Sequence, residues 1–154
     1  MASPRSLQSA PDAETLARGI RRLMADLGFA GIEEFRLANG RRADLAGIDS
    51  RGRIMLVEIK SCLADFRADT KWPDYLAHCD FFYFGVSADF PRRLLEAPEA
   101  WPAHTGLIVA DGFSGAILRE ARPLDLPSAR RRAALVRFAR TAAARLACHE
   151  PRPD

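Results

Sequence analysis

Apolar residues recur along this chain with two periods. Leu16, Ile20, Leu23 and Leu27 fall at helical spacing, behind Pro11-Asp12 and with Glu14 in the first turn; Gly28 supplies the stop. They predict a first helix with Arg18, Arg21 and Arg22 off the apolar stripe. Residues 32–37 read as a strand, closed by the turn pair Asn39-Gly40. Residues 41–60 read as two further strands joined at Asp49-Ser50-Arg51-Gly52. The second of these, 54–59, is apolar on both faces, as a strand buried on both sides should be. Residues 65–70 predict a polar loop or short helical turn. Pro73 suits the first turn of a helix over 72–79. Residues 81–86 form a dense aromatic strand assigned to the core, and Trp72 is assigned to packing against the sheet. Residues 87–105, rich in proline and alanine, read as a surface excursion with a short helix at 92–95. A buried strand at 105–110, a turn at Asp111-Gly112 and an edge strand at 116–119 follow. Ser128 is expected to cap a long helix to about Cys148, with Leu135, Phe138, Ala142 and Leu146 facing inward. The order predicts an α/β domain over 12–148 with one mixed central sheet flanked by helices. A flexible N-terminus (1–11) and a tail (149–154) would flank it.

The apolar pattern of the third strand breaks at Glu58 and Lys60, which alternation points to one face. Across the hairpin Asp44 falls beside them. Two carboxylates and an amine at the edge of a buried sheet are costly unless a counter-charge completes the set. Mg²⁺, which takes a few carboxylates and keeps water, completes it.

Composition narrows the class. At 154 residues, 48% apolar and 28% charged, the chain fits one soluble globular domain. No apolar run approaches the roughly 18 residues of a membrane span, and residues 1–8 carry no secretory pattern. Cys62, Cys79 and Cys148 are odd in number and scattered, which points to a reducing cytoplasm and away from zinc. His78, His104 and His149 lie in unrelated segments and read as ordinary residues. A net charge of +3 is compatible with nucleic acid without demanding it. Only two of the 23 basic residues are lysine, Lys60 and Lys71. Arginine is a fixed planar fork, whereas lysine is a compact charge, so these positions favour an amine; chance accounts equally for so small a sample.

Asp44, followed fourteen residues later by Glu58-Ile59-Lys60, resembles the signature of the PD-(D/E)XK nuclease superfamily, with Ala43 where that pattern often has proline. A longer string resembles the MmcB-like DNA repair proteins of that superfamily. It comprises Glu34-Phe35, Gly40-Arg41-Arg42-Ala43-Asp44, Val57-Glu58-Ile59-Lys60-Ser61, Asp65-Phe66-Arg67-Ala68-Asp69 and Lys71-Trp72-Pro73-Asp74-Tyr75, and it continues through 105–111. The resemblance implies a restriction-endonuclease-like fold and a Mg²⁺- or Mn²⁺-dependent DNA endonuclease acting in repair. Asp44, Glu58 and Lys60 would be catalytic. Asp44, Glu58 and the Ile59 carbonyl would hold the metal, while Lys60 orients the water or stabilises the transition state. Lys71, which stands where RecB-like nucleases carry glutamine, and Tyr75 would share a helical face and grip an adjacent phosphate. Glu34 is a further acidic ligand or, equally, an exposed edge-strand residue. Several relatives in the superfamily use an acid on the first helix, but Glu14 falls nearly opposite the apolar stripe and reads as a solvated helix-start residue.

Arg42 shares the face of Asp44 and reads as its salt-bridge partner or a phosphate contact. Residues 122–154 carry eight arginines against three acids. Arg130, Arg137 and Arg140 face away from the apolar stripe and form either a DNA-binding face or a solvated one. Two other readings compete with the nuclease. One is a catalytically inactive DNA-binding module of the same fold. The other is a structural protein in which Glu58 and Lys60 form a plain ion pair. The partner expected is DNA, with no membrane and a homodimer left open.

Overall fold

Asp12 accepts the Thr15 backbone N–H at 2.8 Å and so starts α1, Ala13–Asp26, which ends at Leu27 before Gly28 (φ +85°). The computed structural model describes residues 11–97 and 101–149. The predicted N-terminal segment up to residue 10 and the tail from residue 150 lie outside the described residues. The strands are β1 (Ala30–Arg36), β2 (Arg42–Ile48), β3 (Ile54–Ile59), β4 (Phe81–Ser87), β5 (Thr105–Ala110) and β6 (Gly115–Arg119). The helices α2 (Leu63–Ala68), α3 (Arg92–Leu95) and α4 (Ser128–Ala147), with a 3-10 helix at Trp72–His78, complete the order.

The six strands lie side by side in chain order. β1, β2 and β3 form an antiparallel meander, β3, β4 and β5 run parallel, and β6 returns antiparallel. The parallel steps bring the C-terminal ends of β3, β4 and β5 to one edge of the sheet, where β2 begins. This is the mixed central sheet flanked by helices that the apolar periods predict. Among the described residues no helix is long and apolar enough to cross a membrane.

Each face of the sheet is buried against helix. Leu16, Ile20 and Met24 of α1 pack on Leu45, Val57, Tyr83 and Ile108. On the other face Phe35, Phe82 and Phe84 lie under Tyr75, Trp101 and Phe138. Each aromatic so buried contributes about 1.5–3 kcal/mol. Gly19 permits the closest approach: a Cβ there would stand 1.9 Å from the Asp111 carbonyl oxygen, so α1 rests directly on the β5–β6 turn.

Three local expectations differ. The 87–105 segment is more than a surface excursion, because Phe90 and Trp101 are buried and Trp101 packs on Phe66 and Phe84. Ser128 does not cap α4; Pro127 holds that position without a side-chain bond. Leu146 is 71% exposed instead of inward. On this 20-residue helix its neighbour Arg145 is the residue that reaches the sheet, at the Glu33 and Glu34 carbonyls. Near its start, Arg131 forks onto Asp80, each oxygen at 2.6 Å. Asp80 also accepts the Ile54 backbone N–H at 2.7 Å, tying α4 to the starts of β3 and β4.

Candidate active site

The β2–β3 ladder ends at Leu45↔Val57. One step further sets Asp44 opposite Glu58, and directly opposed residues of an antiparallel pair share a face. There the ladder gives way to a side chain: Asp44 Oδ2 accepts the Ile59 N–H at 2.7 Å. Lys60 follows, with its backbone fixed by a 2.9 Å bond from its N–H to the Gly85 carbonyl. Its ammonium lies 3.7 Å from Glu58 Oε1 and 2.5 Å from Asp69 Oδ2. Asp44, Glu58 and Lys60 therefore converge, as the alternation predicts, and Asp69 joins them. Asp69 stands in the resembling string, but no apolar period marks it as a site residue.

Charge in this cluster is unbalanced. Burial first, then the Asp44 carboxylate, push the Glu58 carboxyl up to about 7, against the pull of Lys60. Burial likewise raises the Asp44 carboxyl, opposed by its bond from Ile59 and by Lys60. Burial also works on Asp69, yet its carboxyl ends below the ordinary range. It accepts from Lys60 and from the backbone N–H groups of Lys71 and Trp72. Glu58 Oε2 is buried with no hydrogen-bond partner. A carboxylate oxygen left this way calls for a proton or a cation. The hard oxygens of Asp44 and Glu58 suit Mg²⁺ or Mn²⁺. Among the described residues no group of three or more His, Cys, Asp and Glu side chains could hold a metal. Two carboxylates aided by a main-chain carbonyl leave room for the waters that Mg²⁺ retains, so the residues fit such an ion.

Two clefts open on either side of Ile59. One is lined by Lys60, Asp69, Thr70 and exposed Lys71. The other is lined by Glu14, Glu33, Glu34 and Asp44. Glu14 therefore does more than start a helix in solvent: the N-terminal turn of α1 carries it to the cleft of Asp44. Glu34 also borders it, in a left-handed backbone conformation (φ +50°) between the pairs Glu33↔Leu45 and Phe35↔Ala43. Such a conformation costs a non-glycine residue about 1–3 kcal/mol. Arg145 offsets this by donating Nη1 to the Glu33 carbonyl and Nη2 to the Glu34 carbonyl, the latter at 3.0 Å. Arg42 lies 3.7 Å from Glu34 Oε1 and is paired there instead of with Asp44.

Tyr75 and Lys71 do not share a face. The helix is 3-10, with three residues per turn, so positions four apart diverge by about 120°. Tyr75 is buried, stacked on Phe82 at 5.8 Å, and its hydroxyl donates to the Arg42 carbonyl at 3.0 Å. It supports the strand that carries Asp44. On α4, Arg130, Arg137 and Arg140 are exposed, but Arg130 donates to the Ala77 carbonyl at 3.0 Å.

A family model described as DNA repair protein MmcB-like matches residues 3–152. The structure is similar to that of a protein of unknown function from Silicibacter pomeroyi, at 40% identity and a TM-score of 0.78, covering 92% of this chain and 91% of that one. A repair endonuclease from Pyrococcus abyssi gives a TM-score of 0.37 at 17% identity over 68% of this chain and 48% of that one, too slight a likeness to argue from. No curated protein matches the chain.

Proposed function

The chain belongs to the MmcB-like DNA repair protein family, and from that premise we propose that it is a metal-dependent endonuclease hydrolysing phosphodiester bonds in DNA. The observation that carries this reading is the buried Glu58 carboxylate, partnerless at Oε2, beside Asp44 and an ammonium. A purely structural ion pair would use its second oxygen.

Asp44 and Glu58, with the Ile59 carbonyl, would hold Mg²⁺ or Mn²⁺. Such an ion, when bound, supplies a water of lowered pKa and neutralises charge developing on the phosphate. Lys60 presents a compact positive charge to the attacking water or a phosphate oxygen. Lys71, exposed in the adjoining cleft, meets the neighbouring phosphate. Arg42 near the site, and Arg137 and Arg140 on α4, supply charge for the backbone beyond; Arg130 does so in part, since it also braces the 3-10 helix. The test is a cleavage screen over branched and damaged DNAs with Mg²⁺ and with Mn²⁺, comparing the wild type with Asp44→Asn. Cleavage by the wild type alone is expected. If no DNA is cut and neither ion raises the melting temperature, the nuclease reading fails. The inactive DNA-binding module then takes its place, a reading favoured by the lack of a third metal-binding side chain among the described residues.

Two further results are expected. Lys60→Arg should fold and bind DNA but cleave about 10²–10³ more slowly, because a longer planar fork misplaces the charge. Near-normal cleavage would remove Lys60 from the chemistry. Changing Arg130, Arg137 and Arg140 together to alanine should weaken DNA binding and flatten its dependence on salt, by about 0.9 in the log–log slope for each phosphate that is no longer neutralised. An unchanged slope would return that face of α4 to plain solvation.

A further inference from the structure

We propose that Asp69 is a positioning residue for the reaction: it holds the Lys60 ammonium off Glu58 and sets Lys71 beside it. This rests on the nuclease reading above. One carboxylate does both tasks with separate oxygens. Oδ2 takes the Lys60 ammonium at 2.5 Å, and Oδ1 accepts the backbone N–H groups of Lys71 at 2.8 Å and Trp72 at 3.1 Å. Both ends of the tie are anchored. Lys60 leaves a strand bonded to β4, and Trp72 packs on Phe82 and Phe84. The chain's two lysines are thus placed by a single side chain.

The competing partner explains why such a tie is needed. Glu58 Oε1 is 3.7 Å from the same ammonium, beyond hydrogen-bond range but within reach of a small side-chain swing. Without Asp69, Lys60 would close on Glu58 and form a charge-assisted bond there. That would neutralise the carboxylate a metal requires and turn the ammonium from the reacting phosphate. Asp69 divides the two charges so that both stay usable.

Asp69→Asn separates its two tasks. An asparagine oxygen can still cap Lys71 and Trp72, while its amide cannot pair with an ammonium. Asp69→Ala removes both. Labelling the whole chain with ¹⁵N-lysine gives two side-chain ammonium signals by NMR, those of Lys60 and Lys71. In the wild type the Lys60 signal should exchange slowly with water and the Lys71 signal rapidly. In Asp69→Asn the Lys60 signal should shift and report Glu58 as its new partner, with the melting temperature little changed. Cleavage at saturating DNA should fall about 10- to 100-fold, with a higher Mg²⁺ requirement and a KM for DNA near that of the wild type. The double variant with Lys60→Ala should be no slower than Lys60→Ala alone. Freely exchanging Lys60 in the wild type would overturn the proposal, as would an equal Asp69→Asn defect with and without Lys60. A wild type that shows the protected ammonium yet cuts no DNA would instead overturn the nuclease reading, and the catalytic meaning of Asp69 with it, while the tie itself stands measured.

Discussion

Glu58→Gln should be more stable than the wild type at pH 8 and slower in cleavage by about 10²–10³, the cost of losing one well-placed electrostatic group. The Glu58 carboxyl titrates at about 7 in the fold against 4.5 when unfolded. Because the folded value is the higher, the folded protein binds the extra proton, and stability falls as pH rises through this window. Below pH 4.5 the side chain is neutral in both states and costs nothing. Well above pH 7 the full penalty stands, about 3–4 kcal/mol at roughly 1.4 kcal/mol for each pH unit of separation. Asp44, also raised, adds in the same direction. Glutamine keeps the shape and removes the charge. Its advantage in melting temperature should therefore be present at pH 8 and vanish near pH 4, and Mg²⁺ should stabilise the wild type far more than the variant. Thermal unfolding across that range, with and without Mg²⁺, makes the measurement. A variant less stable than the wild type at pH 8 would show that Glu58 is a structural partner of Lys60 and sink the metal reading.

Asp80→Ala should cost about 3–5 kcal/mol, the scale for removing one partner of a buried ion pair. Arg131 would keep its charge and lose both bonds to that carboxylate, and the Ile54 N–H would lose its acceptor. Arg131 is 28% exposed along its side chain, so water reaches part of it and the lower end of the range applies. Urea unfolding gives the number. Replacing both residues together, with Asp80→Leu and Arg131→Met, should recover much of the loss, because neither charge is then stranded. If Asp80→Ala unfolds at the wild-type midpoint, the pair is not what fastens α4.

The sequence carries the sheet well because strands here announce themselves. Apolar runs of strand length are bounded by Asn39-Gly40, by the turn at Asp49 and Gly52, and by Asp111-Gly112. The Asp44, Glu58 and Lys60 cluster follows from alternation and one hairpin, both local. What stays hidden depends on long-range return. Asp69 sits in a polar stretch whose path back to Lys60 no period encodes. Alpha-helical spacing sets Tyr75 beside Lys71, but the helix is 3-10 and turns it into the core. Glu34 takes a left-handed backbone without a glycine to signal it, held by an arginine 111 residues away. In α4 the phase of Leu135 and Phe138 does not extend to Leu146; its neighbour Arg145 is the residue that reaches β1.

The position of α4 after every strand of the sheet has a consequence for biosynthesis. The meander β1–β3 and the Lys60–Asp69 tie are drawn from the first half of the sequence and leave the ribosome early. Phe138, which covers Phe35, and Arg145, which holds the Glu33 and Glu34 carbonyls, emerge only after all six strands. Domains tend to fold as units during synthesis, and here the unit lacks one wall of its core until the last helix arrives. A nascent chain would carry every acidic residue of the cleft while Glu34 still lacked its brace. The cleft would then take its final form only after all six strands have been made, with α4 as the latch.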